Sequence, residues 1–210
     1  SDLRIEAFEK LIDDNTKAVV ISHVEFVNGF RHRINEVSDL AHEHDALCIV
    51  DGIQALGALD AKVEEMGCDV VAAAGFKWLI SLMGFGVLYI RRELIPELQP
   101  VYAGFGGAKD SDAMFDDCCT GMDYTREYEV QEDDIRKFAI GTPNLVGMAA
   151  LTSSMEYMMK LGLKNIESKI LGITDYLIDL LEGDGYTLMS SLERDHRSGI
   201  VSFMSKTDPS

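Results

Sequence analysis

The chain predicts an α/β fold, a mostly parallel sheet with flanking helices, followed by the start of a smaller α+β unit. Three observations carry this. Short apolar runs recur at residues 17–21, 46–50, 69–73 and 86–90, each the length of a buried strand. Helical spacing separates the first three runs, the pattern of parallel βαβ units with right-handed crossovers. Beyond residue 143 two long helical stretches follow, and then two further short strands before the chain stops at Ser210.

Taken in order, residues 3–12 carry apolar side chains at helical spacing, and Asp13–Asn15 ends them. KAVVI at 17–21 is the first strand, and Ser22 to Arg33 is a polar loop with the turn signal Asn28–Gly29. A helix over 34–44 places Ile34, Val37, Leu40 and Ala41 on one face. Ala46–Val50 is the second strand and leads into Asp51. Ala61–Met66 is a short helix that Gly67 stops, because glycine tolerates the left-handed conformation of a helix C-terminus. Asp69–Ala73 is the third strand, and 86–90 the fourth; so short a connection favours an antiparallel neighbour. Residues 99–135 lack periodicity and predict a long surface excursion. Helices over 143–161 and 164–182 lead to strands at Tyr186–Met189 and Gly199–Met204, so the chain divides into residues 1–145 and 146–210.

Composition narrows the function. A net charge of -17 argues against a phosphate-backbone partner, which calls for clustered Lys and Arg, so no nucleic acid is expected. No apolar run approaches the length of a membrane span, and no signal peptide is expected. Of the four cysteines, Cys48 and Cys68 sit within or beside apolar runs as core residues, and the adjacent pair Cys118–Cys119 lacks metal-ligand spacing. No metal site and no disulfide framework is expected, and a reducing, cytoplasmic compartment fits.

The stretch from residue 51 to 79, DGIQALGALDAKVEEMGCDVVAAAGFKWL, organises the chain. It puts Asp51 after one strand and Lys77 after the next, so both emerge at the carboxyl edge of the sheet, where open α/β sheets bind ligands. An amine and an acid over one crevice suit pyridoxal phosphate: the amine condenses with the aldehyde, and the acid pairs with the pyridine nitrogen. Each residue also has a plain reading, Lys77 as a surface lysine and Asp51 as a turn residue. The pair says more than either member. His42 and His44, two apart on a helix, read as solvent residues, and His32 and His196 have no visible partner.

The segments VVISHVEFVNGFR, LCIVDGIQALGALD, VVAAAGFKWL and KFAIGTPN, in that order, resemble the class V aminotransferase and cysteine desulfurase family of fold-type I pyridoxal-phosphate enzymes. The resemblance runs over roughly residues 1–205. It implies that Lys77 carries the cofactor and moves the substrate α-proton, that Asp51 holds the pyridine nitrogen, and that Gln54 bonds the phenolic oxygen. It further implies that His23 approaches the ring, and that Thr142 reaches a phosphate in the second subunit of a homodimer. Two positions depart from the pattern. Phe76 stands where the family often has a phosphate-binding His, and Ala74 where it often has Ser. The chain so read is a partial one, residues 1–145 being the C-terminal part of the large domain and 146–210 the helical connection and the beginning of the small domain, and it is expected to be inactive by itself. Transamination of an amino acid is the leading expectation, since Cys118 and Cys119 do not sit where the family's desulfurase nucleophile lies. Cysteine desulfuration or selenocysteine lysis is the alternative, and a cofactor-free scaffold or dimerisation module is the reading from another class. A nucleotide-binding fold is weaker, because Gly84 and Gly86 complete no dinucleotide fingerprint.

Overall fold

The computed structural model describes residues 4–102, 104, 106–110 and 129–205. The chain forms two compact units, one of Ser1–Tyr89 with Ala149–Ser210 and the other of Ile90–Met148. Cys118 and Cys119 lie outside the described residues.

A sheet in the order β1 (Ala18–Ser22), β2 (Leu47–Asp51), β3 (Val70–Ala74), β4 (Gly86–Ile90) organises the first unit. β1, β2 and β3 are parallel, in a register that sets Ser22 beside Asp51 and Asp51 beside Ala72. The Gly75 amide donates to the Phe85 carbonyl at 2.8 Å, and Gly86 lies against the backbone of Ala73 and Ala74. Contacts that step forward on one strand and back on the other have the sense of an antiparallel pair. Each of the first three strands begins and ends one residue later than its apolar run, so Asp51 is the last residue of β2 rather than the one after it.

Alternation decides which face is covered. Val19, Ile21, Cys48, Val50 and Val71 point to one side and pack on α2 (Ile34–Glu43), whose Ile34, Val37 and Ala41 are buried there. Fully burying a Val or Ile contributes about 1.5–3 kcal/mol, so this layer is the chief source of stability in the unit. α1 (Ile5–Phe8) adds Ile5 and Phe8 to its edge and is shorter than the predicted 3–12. α3 (Val63–Met66) supplies Met66, and Gly67 closes it at φ 64° as expected for a left-handed cap. The opposite face, with Val20, Ser22, Asp51 and Ala72, is open, and Val20 is 73% exposed.

α4 (Leu145–Leu161) and α5 (Leu163–Gly183) are joined through Gly162 at φ 83°. Leu151 and Met158 of α4 pack on Ala73 and Leu79. Two-residue strands β5 (Thr187–Leu188) and β6 (Phe203–Met204) pair antiparallel, shorter than their apolar runs. In the second unit, Lys137 is buried and donates to the carbonyls of Ile95 and Glu132, and Ala108 bridges Val130. Among the described residues no helix is long and apolar enough to cross a membrane.

The histidines are more engaged than the sequence predicted. His42 bonds the fully buried Asp69 at 2.9 Å, and His44 bonds Asp14 at 2.8 Å. His32 meets Glu25 at 3.3 Å, and His196 stacks on Phe30 with ring centroids 4.6 Å apart. Residues distant in the chain supply most of these partners, which is why local spacing did not reveal them.

Candidate functional site

Asp51 ends β2 with its side chain on the open face of the sheet. Its Oδ1 accepts from the Ile53 amide at 2.9 Å, which fixes the carboxylate plane and leaves Oδ2 to another donor. Beside it lies a wide hollow of about 550 Å³ with Ala72, Ala74 and Gly86 among its lining and the rings of Phe76 and Phe85 at its side. Asp51 is the single charged residue among those that line it. Ala72, Ala74 and Gly86 keep side-chain bulk off the sheet there. An apolar hollow with one carboxylate in its lining accepts a planar heteroaromatic ring whose protonated nitrogen meets the acid.

Lys77 follows β3 in a turn that Gly75 and Ser81 close, the Ser81 amide donating to the Gly75 carbonyl at 2.8 Å. Its own carbonyl accepts from Ile80, which sits at φ 49°, a strained angle for a β-branched residue. Lys77 is half-buried, and no carboxylate pairs with it among the described residues. It neighbours Phe76 in the chain but does not itself line the hollow. Gln54 lies in the turn after Asp51, where the Ala55 and Leu56 amides donate to Gly52, and its Oε1 accepts from the Trp78 indole at 3.3 Å. Acid, amide and amine are therefore carried by two successive carboxyl-edge turns of the same sheet.

His23 is placed differently from the expectation. Its backbone amide donates to the Asp51 carbonyl at 2.9 Å, but its ring lines a separate hollow of about 430 Å³ with Arg31, Arg33, Asp60 and Lys62. Strand alternation explains this: Ser22 takes the face of Asp51, and the next residue turns away. The ring is 4% exposed, its Nδ1 has no hydrogen-bond partner, and burial, with Arg31 and His32 nearby, pushes its pKa down to about 4. Ser22 is the β1 residue that the sequence reading passed over; the register with Asp51 could have found it. Thr142 is exposed in the second unit, two residues before Asn144, whose Oδ1 accepts from the Gly147 amide.

The two departures have visible consequences. Phe76 is 44% exposed at the hollow and Ala74 helps line it, so neither position offers a side-chain donor for a phosphate. The residues that line the hollow fit the ring of the cofactor and its nitrogen, whereas the amine of Lys77 and the donors for its phosphate would come from outside that lining.

The family description "Aminotransferase class-V" matches residues 1–208 of the chain. A probable cysteine desulfurase of Halalkalibacterium halodurans is 31% identical over 203 residues, 96% of this chain and 46% of that protein. A cysteine desulfurase of Escherichia coli K12 is 30% identical over 202 residues, again 96% of this chain and 46% of the relative. The solved apo structure of a cysteine desulfurase from Thermococcus onnurineus superposes with a TM-score of 0.85 at 26% identity, covering 99% of this chain and 48% of that one. The chain thus has the α/β fold of fold-type I enzymes, and it spans about half the length of the curated relatives it matches.

Proposed function

Because this chain belongs to the class-V aminotransferase family, whose members depend on pyridoxal phosphate, we propose that it carries the lysine half of a pyridoxal-phosphate site acting at the α-carbon of an amino acid. When bound, the cofactor supplies an electron sink for the pair left behind when an α-bond breaks. The observation that carries the reading is the placement of Asp51, Gln54 and Lys77 on adjacent carboxyl-edge turns of one sheet.

Each residue has a task that its position permits. The Asp51 carboxylate holds a proton on the ring nitrogen by a charge-assisted hydrogen bond. Gln54 donates from its amide nitrogen to the phenolic oxygen. Lys77 supplies the amine that attaches covalently and, once free, takes and returns the α-proton. His23 contributes through its backbone bond to Asp51, and Thr142 is assigned the phosphate of a second copy in a homodimer. Residues 1–145 form the C-terminal part of the cofactor-binding domain, and 146–210 the connection to a smaller one.

Of the two reactions, sulfur removal from cysteine is now the better reading. The relatives in hand are named cysteine desulfurases, which favours it over the transamination that the sequence alone put first. The two differ in product. Desulfuration turns cysteine into alanine and leaves the sulfur as a persulfide on a thiol nucleophile, whereas transamination moves the amino group to a keto acid. In the full-length protein assayed with a thiol reductant, alanine and the sulfide that the reductant releases from the transferred sulfur are the expected products from cysteine, lost in Lys77→Ala. A keto acid formed in step with an aminated acceptor would establish transamination instead.

A further inference from the structure

Lys77 is followed by the single tryptophan of the sequence, and the surrounding backbone is shaped to receive it. Gly57, at φ 93°, passes so close to the Trp78 carbonyl that a Cβ there would lie 2.4 Å from its oxygen. Gly199 lies against the indole, where a Cβ would come within 2.7 and 2.8 Å of Cη2 and Cζ2. Ile170 and Ile200, with Val24, Ala55 and Leu59, complete an apolar cluster around the ring. One glycine therefore makes room for the Trp78 backbone and a second for its ring. Its only polar atom is the indole Nε1–H, which donates to Gln54 Oε1 at 3.3 Å.

We propose that Trp78 is a positioning residue for the site, orienting the Gln54 carboxamide and anchoring the turn that carries Lys77. An indole is a donor and never an acceptor, so it selects the oxygen end of the amide. That leaves the Gln54 nitrogen, with its two hydrogens, as the end free to bond an acceptor such as a phenolic oxygen. The ring also packs the residue after Lys77 against Gly199 and Ile200 ahead of β6, in a turn whose Ile80 is strained. The orienting role rests on the proposed reading of Gln54 and Lys77, whereas the Trp78–Gln54 contact stands without it.

With a single tryptophan, 15N-labelled chain gives one indole N–H resonance. In the 210-residue chain that resonance is expected to exchange slowly with solvent, and Gln54→Leu is expected to shift it and speed its exchange roughly fivefold, the loss of one net hydrogen bond. An unchanged resonance in Gln54→Leu overturns the contact. In a second arm, pyridoxal phosphate is trapped on the chain with borohydride and the peptides are mapped. Trp78→Phe keeps a ring and deletes the donor, and is expected to lower the label at Lys77 roughly fivefold with the other lysines unchanged. Equal labelling of Lys77 in both proteins overturns the positioning role while leaving the Lys77 reading intact. Absence of selective label in the unaltered chain sinks the Lys77 reading instead, and the indole resonance then decides the contact alone, as it does if Trp78→Phe fails to fold.

Discussion

His23 and Gly57 show how much of this unit depends on single side chains, or on their absence. His23 is buried with Nδ1 unpartnered, and its pKa falls from the ordinary 6.5 to about 4. As pH drops, the unfolded chain takes up the proton first. The stabilising effect of a neutral His23 is whole above pH 6.5 and is lost as pH falls towards about 4, a difference of about 3 kcal/mol in total. Urea midpoints measured across that window are expected to fall more steeply in the unaltered chain than in His23→Gln; parallel profiles would remove the burial argument. Gly57→Ala meets two penalties, a left-handed φ and contact with the Trp78 carbonyl, and is expected to cost about 2–4 kcal/mol by thermal unfolding. A loss under about 0.5 kcal/mol would mean the turn relaxes freely.

The first three strands were legible as elements because a parallel strand is a nearly continuous apolar run, as at 17–21, 46–50 and 69–73, and the run at 86–90 stood out by the same composition. Their ends were less legible. A polar residue such as Asp51 still takes its place in the ladder when neighbouring backbone groups reach it, as the His23 amide does. The first helix shrank to Ile5–Phe8 because helical spacing without a cap sets only a preference. The link that the sequence hid is Asp69, fully buried before β3, whose Oδ2 accepts from the Cys48 amide at 2.7 Å and from His42 at 2.9 Å. One carboxylate thereby ties β2, β3 and α2. Asp69→Ala leaves a buried amide without its acceptor and is expected to cost about 2–4 kcal/mol in urea unfolding, with Asp69→Asn costing less. Equal midpoints for Asp69→Ala and the unaltered chain would show that the tie is dispensable. At the site, Asp51, Gln54 and Lys77 were found by spacing, but the hollow assigned to His23 was not, since one residue of strand alternation turned its ring to the other side.

At the scale of the molecule, a parallel sheet with one face open is unusual, because such sheets are covered on both sides. Val20 on that face and Leu145, Val146 and Met159 on α4 are strongly exposed. The 210-residue chain is therefore expected to associate, with a sedimentation coefficient that rises with concentration, and a constant monomer would contradict this. Charge opposes the tendency, since -17 on each copy repels another, so added salt is expected to strengthen it. The central proposal is that the turn after β3 and the end of β2 carry the amine and the acid of one pyridoxal-phosphate site. Borohydride reduction of the chain with pyridoxal phosphate, followed by peptide mass mapping, tests this most directly. Modification is expected to be confined to Lys77 and lost in Asp51→Ala, which removes the partner of the ring nitrogen. Label scattered over many lysines, or none at all, would contradict it.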